Sequence, residues 1–251
     1  MAGIAAEAAP TEDRMRLRGL FVTGTDTEVG KTHVAAGLLH LLAQDGQRTA
    51  GLKPVAAGLN EVDGRWVNED VECLRTAGSL PLTDAEVGPF QFRTACAPHI
   101  AAQREGRGID REAILAAARG LGARCDWLVV EGVGGWRVPL APGWDSADLA
   151  VDLGLPVVLV VGLRLGCISH ALLTAESVRA RGLPLVGWVA NRIDPAMLHP
   201  EENLATLHQA LRDEHGIGCL GVVPRLSPPS PAAVAAHLDR AAVLGALQPF
   251  R

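Results

Sequence analysis

The sequence predicts an α/β fold built on one doubly wound, mostly parallel β-sheet flanked by helices. Three observations lead there. Short apolar runs rich in Val and Leu recur along the chain, each gives way to a glycine-containing turn, and a helix-period pattern follows the turn. That alternation marks βα units around a parallel sheet, whose strands are buried on both faces and so read as near-continuous apolar runs.

The first strand is expected at Leu20 to Thr23, and Lys31 to Gln44 then places Val34, Leu38, Leu41 and Leu42 on one helical face. Thr49 to Lys53 is the second strand. From Ala56 to Gly108 the pattern lapses, with Gly58, Gly64, Gly78, Pro81, Gly88, Pro89 and Pro98 as punctuation; an insertion of this kind belongs at the ligand-bearing edge of a sheet. Asp110 is placed to cap a helix over Arg111 to Leu121, and Gly122 to stop it. Further strands are expected at Trp127 to Glu131, Val157 to Gly162, Leu185 to Ala190 and Leu220 to Val223, with a helix from about Ser169 to Arg181. Ser227 to Pro231 reads as a stiff turn before a last helix. No internal repeat interrupts the series, so a loose tail over residues 1–16 and one domain over residues 17–251 are expected.

Composition narrows the function. The 251 residues carry 23 Lys and Arg against 28 Asp and Glu, a formal net charge of −5, which argues against broad binding to nucleic acid or an anionic membrane. Any anionic ligand must then be met by a focused site. Cys73, Cys96, Cys125, Cys167 and Cys219 are odd in number and form no C-x-x-C pair, so neither a disulfide framework nor a zinc cluster is expected. The first residues lack a basic start and an apolar run of signal-peptide length. Val157 to Val161 with its flanks is far short of the roughly 20 apolar residues that cross a bilayer. A reducing cytoplasm is the expected location.

Phe21-Val22-Thr23-Gly24-Thr25-Asp26-Thr27-Glu28-Val29-Gly30-Lys31-Thr32 runs from a strand through a loop into a helix and reads as a phosphate-binding loop. Backbone N–H groups from Val29 to Thr32 are expected to face phosphate oxygens, Lys31 to reach the terminal phosphates and Thr32 to ligate Mg²⁺. The loop departs from G-x-x-x-x-G-K-[ST] spacing, since Gly24 stands one residue early and Thr25 holds the usual glycine position. The plain alternative is a tight strand-to-helix turn with an exposed lysine. One hydroxyl rarely holds Mg²⁺ unaided, which directs attention to carboxylates at strand ends. Glu131 closes an apolar strand and opens Gly132-Val133-Gly134-Gly135, whose small residues let backbone approach a ligand. Asp70, in Asn68-Glu69-Asp70, suits capping or starting a helix, and taken alone that structural role is commoner than metal binding. Lys53 leaves its strand before Pro54 and can set a second cation beside the phosphates, although an isolated lysine is more often solvated. Asn191-Arg192 and Pro224-Arg225-Leu226 end the last two strands; an amide there can read a nucleotide base, and such residues also simply form turns. Gly166-Cys167-Ile168-Ser169-His170 opens a helix whose N-terminus suits an anion such as a carboxylate, with Ser169 as an ordinary N-cap the competing view. His99 and His170 show no positioned partner and read as packing or capping residues.

Taken together, Thr23 to Thr32, Lys53-Pro54-Val55, Pro98-His99-Ile100, Val130 to Trp136, Leu165 to His170 and Gly187 to Asn191 resemble the dethiobiotin synthetase family, in unchanged order from about Leu20 to Leu226. The loop with its glycine one place early is characteristic of that family among P-loop proteins. The resemblance implies a homodimeric P-loop NTPase fold that uses ATP, Mg²⁺ and CO₂ to close a ureido ring on 7,8-diaminononanoate, releasing ADP and phosphate in biotin biosynthesis. It further implies catalytic roles for Lys53, Lys31 and Thr27, and Mg²⁺ ligation by Thr32, Asp70 and Glu131. Glu28, Val29, Gly30, Lys31, Thr32 and His33 would hold phosphates, with Asp70, Glu131, Gly132, Val133 and Gly134 continuing the nucleotide site. Asn191, Arg192, Pro224, Arg225 and Leu226 would face adenine. Thr27, Lys53 and Ala57 would meet the substrate, and Gly166, Cys167 and Ser169 would cap its carboxylate from the neighbouring subunit. Two departures stand out: Ala57 replaces a substrate-contacting Ser of many members, and Ser227 to Pro231 lacks a glutamate that some place near the nucleotide.

Other classes are open to P-loop proteins. A regulatory ATPase of the partitioning or positioning type usually carries an extra lysine early in the loop, where Thr25, Asp26 and Thr27 stand here, and the chain shows no basic amphipathic anchor at its C-terminal end. An amide-forming synthase of the cobyrinate type would need a glutaminase portion, for which no length remains.

Overall fold

The apolar runs pair side by side. The computed structural model describes residues 17–250, and its central sheet has six strands, all parallel: β1 (Gly19–Gly24), β2 (Thr49–Leu52), β3 (Trp127–Glu131), β4 (Val157–Gly162), β5 (Leu185–Asn191) and β6 (Cys219–Val223). Their spatial order is β6-β5-β4-β1-β3-β2. The tail expected over residues 1–16 lies outside the described residues.

Parallel strands need crossover connections, and helices covering both faces supply them. Every residue of β1, β3 and β4 is buried, so both faces of the sheet centre are covered. Phe21 pairs with Val157 on one side and Val130 on the other, which fixes the register of the three central strands. Chain direction across the sheet reverses at β1: β3 and β2 lie to one side, β4, β5 and β6 to the other. In open α/β sheets such a switch point leaves a crevice outside the carboxyl ends of the strands. Gly24, Leu52, Glu131, Gly162, Asn191 and Val223 all end strands on that one edge.

Several boundaries move, each for a local reason. β2 stops at Leu52, because the Lys53 N–H turns away to the carbonyl of Val87 at 2.7 Å. The helix expected from Ser169 begins at Cys167 and ends at Ala180; Gly166, at φ +91°, makes the turn, so Ser169 is not the N-cap. Asp70 does not cap its helix either. Asn68 does, accepting the Val71 N–H at 3.1 Å, and Asp70 sits in the first turn of Glu69–Ala77. The irregular stretch also holds a parallel pair, Val55–Ala57 with Phe90–Phe92, the exposed hairpin Asn60–Val62 and Arg65–Val67, and the short helix Pro98–Arg104. Asp110 caps Arg111–Gly122 as expected, accepting from Glu112 and Ala113, but Gly122 lies within the helix and Ala123, not Gly122, is its C-cap. Beyond the prolines there are two helices, Pro231–Ala235 and Arg240–Leu247, where one was expected. Among the described residues no helix is long and apolar enough to cross a membrane.

Gly19 shows how tightly β1 and β3 are set: a Cβ built there would lie 2.2 Å from the carbonyl oxygen of Leu128. Gly19→Ala should therefore cost about 1–3 kcal/mol of stability, the usual penalty for overpacking a core. Gly245→Ala, on the exposed face of a helix with nothing near the new methyl, should instead gain up to about 1 kcal/mol. Urea denaturation midpoints decide; equal midpoints for the two variants would contradict this account of the sheet.

Candidate functional site

The loop between β1 and the helix Lys31–Gln44 is shaped by two backbone turns that side chains resist. Glu28 has φ +59° and Gly30 φ +88°. The glycine one residue early has a steric reason: a Cβ on Gly24 would fall 2.6 Å from Val29 Cγ2 and 3.0 Å from Lys31 Cγ, so Val29 and the lysine stem pack where a side chain would be. Gly30 is doubly constrained, since its own Cβ would also lie 2.1 Å from Asn191 Nδ2. That amide donates to the Val29 carbonyl at 2.9 Å, tying the end of β5 to the loop. The loop's left-handed turns precede a 14-residue helix, the arrangement that presents N–H groups to phosphate.

The glycine-rich segment after β3 lies against this loop. Thr27 Oγ1 is 3.5 Å from where a Cβ on Gly134 would stand, and Asp26 Cα is 3.7 Å from the equivalent point on Gly135. On the other flank, Arg164, from the turn after β4, pairs with the Asp26 carboxylate, a link that no sequence motif announced. The Asp26 carbonyl accepts the Lys31 ammonium at 2.8 Å.

Residues 32, 53, 70 and 131, far apart in sequence, converge at the centre. Lys53 Nζ lies 2.5 Å from Glu131 Oε1, 2.9 Å from Asp70 Oδ2 and 3.3 Å from the Gly132 carbonyl. Thr32 Oγ1 is 2.8 Å from both Asp70 Oδ1 and Glu131 Oε1, although its one hydrogen serves only one of them at a time. Glu131 Oε2 is buried with no partner among the described residues. Two carboxylates, a hydroxyl and an orphaned buried oxygen fit a hard cation such as Mg²⁺, which takes one or two carboxylates and fills its remaining positions with water and phosphate. Nowhere among the described residues do three His, Cys, Asp or Glu side chains gather as a metal site.

The charges press on one another. Burial, and then the Lys53 cation, bring the Lys31 ammonium down to about 8. Burial also works against the Lys53 charge, but Glu131 and Asp70 outweigh it and hold the ammonium above its ordinary range. Burial opposes ionisation of Asp70, yet Lys53 keeps that carboxyl below its usual value. For Glu131 burial dominates and pushes the carboxyl up, with Lys53 pulling against it. Lys31 and Lys53 are the only two lysines in the chain; its other 21 basic residues are arginines. A compact, flexible ammonium is thus used only in this site.

These groups line a cavity of about 920 Å³ that also takes in Thr27, Glu28, Gly30, His33, Ala57, Val133, Gly134 and Asn191. Val29 is fully buried beneath the loop and Gly132 reaches the site through its carbonyl. Other expected residues lie apart. Arg192 pairs with Glu201 on the surface at 2.6 Å, and Pro224, Arg225 and Leu226 follow β6 without lining the cavity. Gly166 and Ser169 line a separate shallow depression with Leu165, Leu172 and Leu173, while Cys167 is buried beneath it. Cavity residues that sequence reasoning passed over include Cys73, Ala95, Cys96 and Val138, whose types carry no chemical signature. Burial, with Glu131 and Asp70 nearby, pushes the Cys73 thiol up to about 11, so it stays protonated.

The loop geometry gives a direct test. Gly30→Ala must leave the left-handed region or displace Asn191, and should weaken binding of a fluorescent ADP analogue by at least about tenfold. Adding Asn191→Ala removes the collision but leaves the backbone strain, so recovery should be partial; wild-type affinity in the single variant would refute this.

Among the solved structures similar to this one are MinD proteins and a ParA family ATPase. The septum site-determining protein MinD of Pyrococcus horikoshii, solved with Mg-ADP, is 18% identical, with 87% of this chain and 92% of that one covered at a TM-score of 0.53. MinD of Pyrococcus furiosus is 14% identical over 93% of this chain and all of that one, at 0.55. A ParA family ATPase of Chlorobium tepidum is 13% identical over 92% and 98% of the two chains, at 0.51. Identities this low speak for the fold, a parallel six-stranded sheet of P-loop NTPase type. A family model described as an AAA domain matches residues 18–233, nearly the whole described chain, and with the phosphate loop and its carboxylates in place the protein belongs to that AAA domain family of P-loop ATPases.

Proposed function

We propose that this chain is an ATP- and Mg²⁺-dependent dethiobiotin synthase, acting on 7,8-diaminononanoate and CO₂ as a cytoplasmic homodimer whose residues 17–251 form one domain. The AAA domain family that it matches includes P-loop NTPases like dethiobiotin synthase. The observation that supports the reading is that Lys53 lines one cavity together with the phosphate loop and with Ala56, Ala57, Ala95, Ala97, Val133 and Val138. Such walls suit an aliphatic chain and offer it few hydrogen bonds.

In this reading one substrate amine attacks CO₂ and loses a proton to give a carbamate, whose oxygen then attacks the γ-phosphorus and expels ADP. The second amine attacks the resulting mixed anhydride at carbon and expels phosphate. Bringing an anionic oxygen to a γ-phosphate demands charge neutralisation, to which Mg²⁺ contributes when bound. Lys31 leaves the Asp26 carbonyl for the phosphates and Lys53 bridges phosphate and carbamate. Thr27, beside Gly134, stands near the reacting carbamate. Ring closure between neighbouring amines gains mainly from proximity, so positioning outweighs acid–base help. Because Ala57 has no hydroxyl, backbone and water take the place of a serine contact. The depression at Gly166 and Ser169 lies outside the Lys53 cavity, and a second copy of the chain would bring that helix start to the substrate carboxylate; Leu165 and Leu173, 92% and 60% exposed, supply the apolar contact area.

A second reading, a regulatory ATPase of the partitioning or positioning type, is the one that the solved structures favour, since MinD and ParA proteins are the neighbours found. Against it stand the loop residues: Thr25, Asp26 and Thr27 occupy the positions where an early lysine is expected, and Asp26 is taken up by Arg164. Two measurements separate the readings. ADP release should require diaminononanoate and bicarbonate together; release that ignores both, and rises with DNA or lipid vesicles, selects the regulatory ATPase. Lys53→Ala should lower turnover by at least about 10²–10³-fold, as losses of charge-stabilising donors do, while nucleotide affinity stays near wild type. Unchanged turnover would remove Lys53 from the mechanism.

A further inference from the structure

Lys53 is 3% exposed and meets three acceptors with its three donors: Glu131 Oε1, Asp70 Oδ2 and the Gly132 carbonyl. Two of these atoms belong to the carboxylates that suit a divalent cation. We propose that Lys53 is the resident counter-cation of the metal site, so that metal binding and delivery of this lysine towards the phosphates are a single exchange.

The local chemistry leaves little alternative. Two carboxylates and the Gly132 carbonyl surround the ammonium, and Lys31 is held away on the Asp26 carbonyl. With the lysine in place the two carboxylates keep one uncompensated negative charge, and Glu131 Oε2 has no partner. A divalent ion held by the two carboxylates, with Glu131 Oε2 among its ligands, would satisfy both deficits but cannot share Glu131 and Asp70 with an ammonium, because like charges in a buried site repel strongly. The ammonium must then leave. Its backbone cannot follow, since the Lys53 N–H is fixed to the Val87 carbonyl and Pro54 follows, so the change falls on the flexible four-carbon stem. That stem opens onto the same cavity as the phosphate loop, where phosphate oxygens are the natural next acceptors. The exchange orders events: Lys53 is withheld from the reacting groups until the cation is seated. It holds for any ATP chemistry in this site and does not depend on dethiobiotin synthesis.

Binding of Mn²⁺ to the nucleotide-free protein, followed by the loss of the free-ion resonance signal, tests the exchange without turnover. Lys53→Met removes the resident cation and should bind Mn²⁺ at least about tenfold more tightly than wild type, whereas Lys53→Arg, which keeps a cation, should not. Equal or weaker binding by folded Lys53→Met would overturn the proposal. Since that variant leaves two carboxylates unpaired and can fail to fold, a second measurement uses the wild type. With two lysines, the protein gives two lysine acetylation sites besides its N-terminal amine on brief treatment with acetic anhydride; saturating Mg²⁺ without nucleotide should raise labelling of Lys53 at least about fivefold relative to Lys31. Labelling of Lys53 that does not respond to Mg²⁺ would also overturn the exchange.

Discussion

A carboxylate at the end of a buried strand must be answered by a cation, and Glu131 sets that demand for the whole site. Its side chain is 1% exposed, at the carboxyl end of a strand with no solvent on either face. An isolated charge in such surroundings would be neutralised or expelled, since burial disfavours ionisation by far more than a hydrogen bond returns. Lys53 and Thr32 answer that requirement and Lys53 in turn holds Asp70, so three separate parts of the chain meet at Glu131. Each arrives differently: Thr32 on the first turn of the loop helix, Asp70 on the first turn of a helix capped by Asn68, Lys53 at the point where its strand turns out of the sheet.

The sheet makes the meeting possible. Parallel strands place all their carboxyl ends on one edge, and the change of direction at β1 opens a crevice there. Phosphate loop, the Asp70 and Glu131 carboxylates and Asn191 therefore converge although residues 24 and 191 are far apart in sequence. An acidic chain can hold an anion in this crevice because its positive potential is local, supplied by two lysines and by backbone N–H groups at a helix start. Net charge describes the outer surface, where arginines pair with carboxylates such as Asp126, Asp152 and Glu201.

Much of the frame was legible in the sequence because burial on both faces leaves a plain signature, an apolar run, clearest in β3 and β4 and shorter or broken by glycine in β2, β5 and β6. The phosphate loop was legible for the same reason of density, with its chemistry packed into a dozen consecutive residues. The stretch between Lys53 and Asp110 was not. Its strands are three residues long and its hairpin is exposed, so neither periodicity nor apolar content distinguishes them from loop, and the Asn68 cap was hidden behind the acidic pair that follows it. The walls of the cavity were equally silent, because Ala, Val and Cys declare no chemistry until neighbours surround them.

By itself, then, the sequence determined the layers, the strand set and the phosphate loop, since each depends on local pattern: apolar runs, helix period, and glycines where side chains cannot fit. Only the tertiary structure decided that Lys53 is paired rather than solvated, that Asp70 belongs with Glu131, and that Asn191 braces the loop beneath Gly30. Those facts are electrostatic and steric relations between residues tens of positions apart. They follow from burial, which turns an ordinary carboxylate into one that must find a cation, and burial is a property of the folded chain alone.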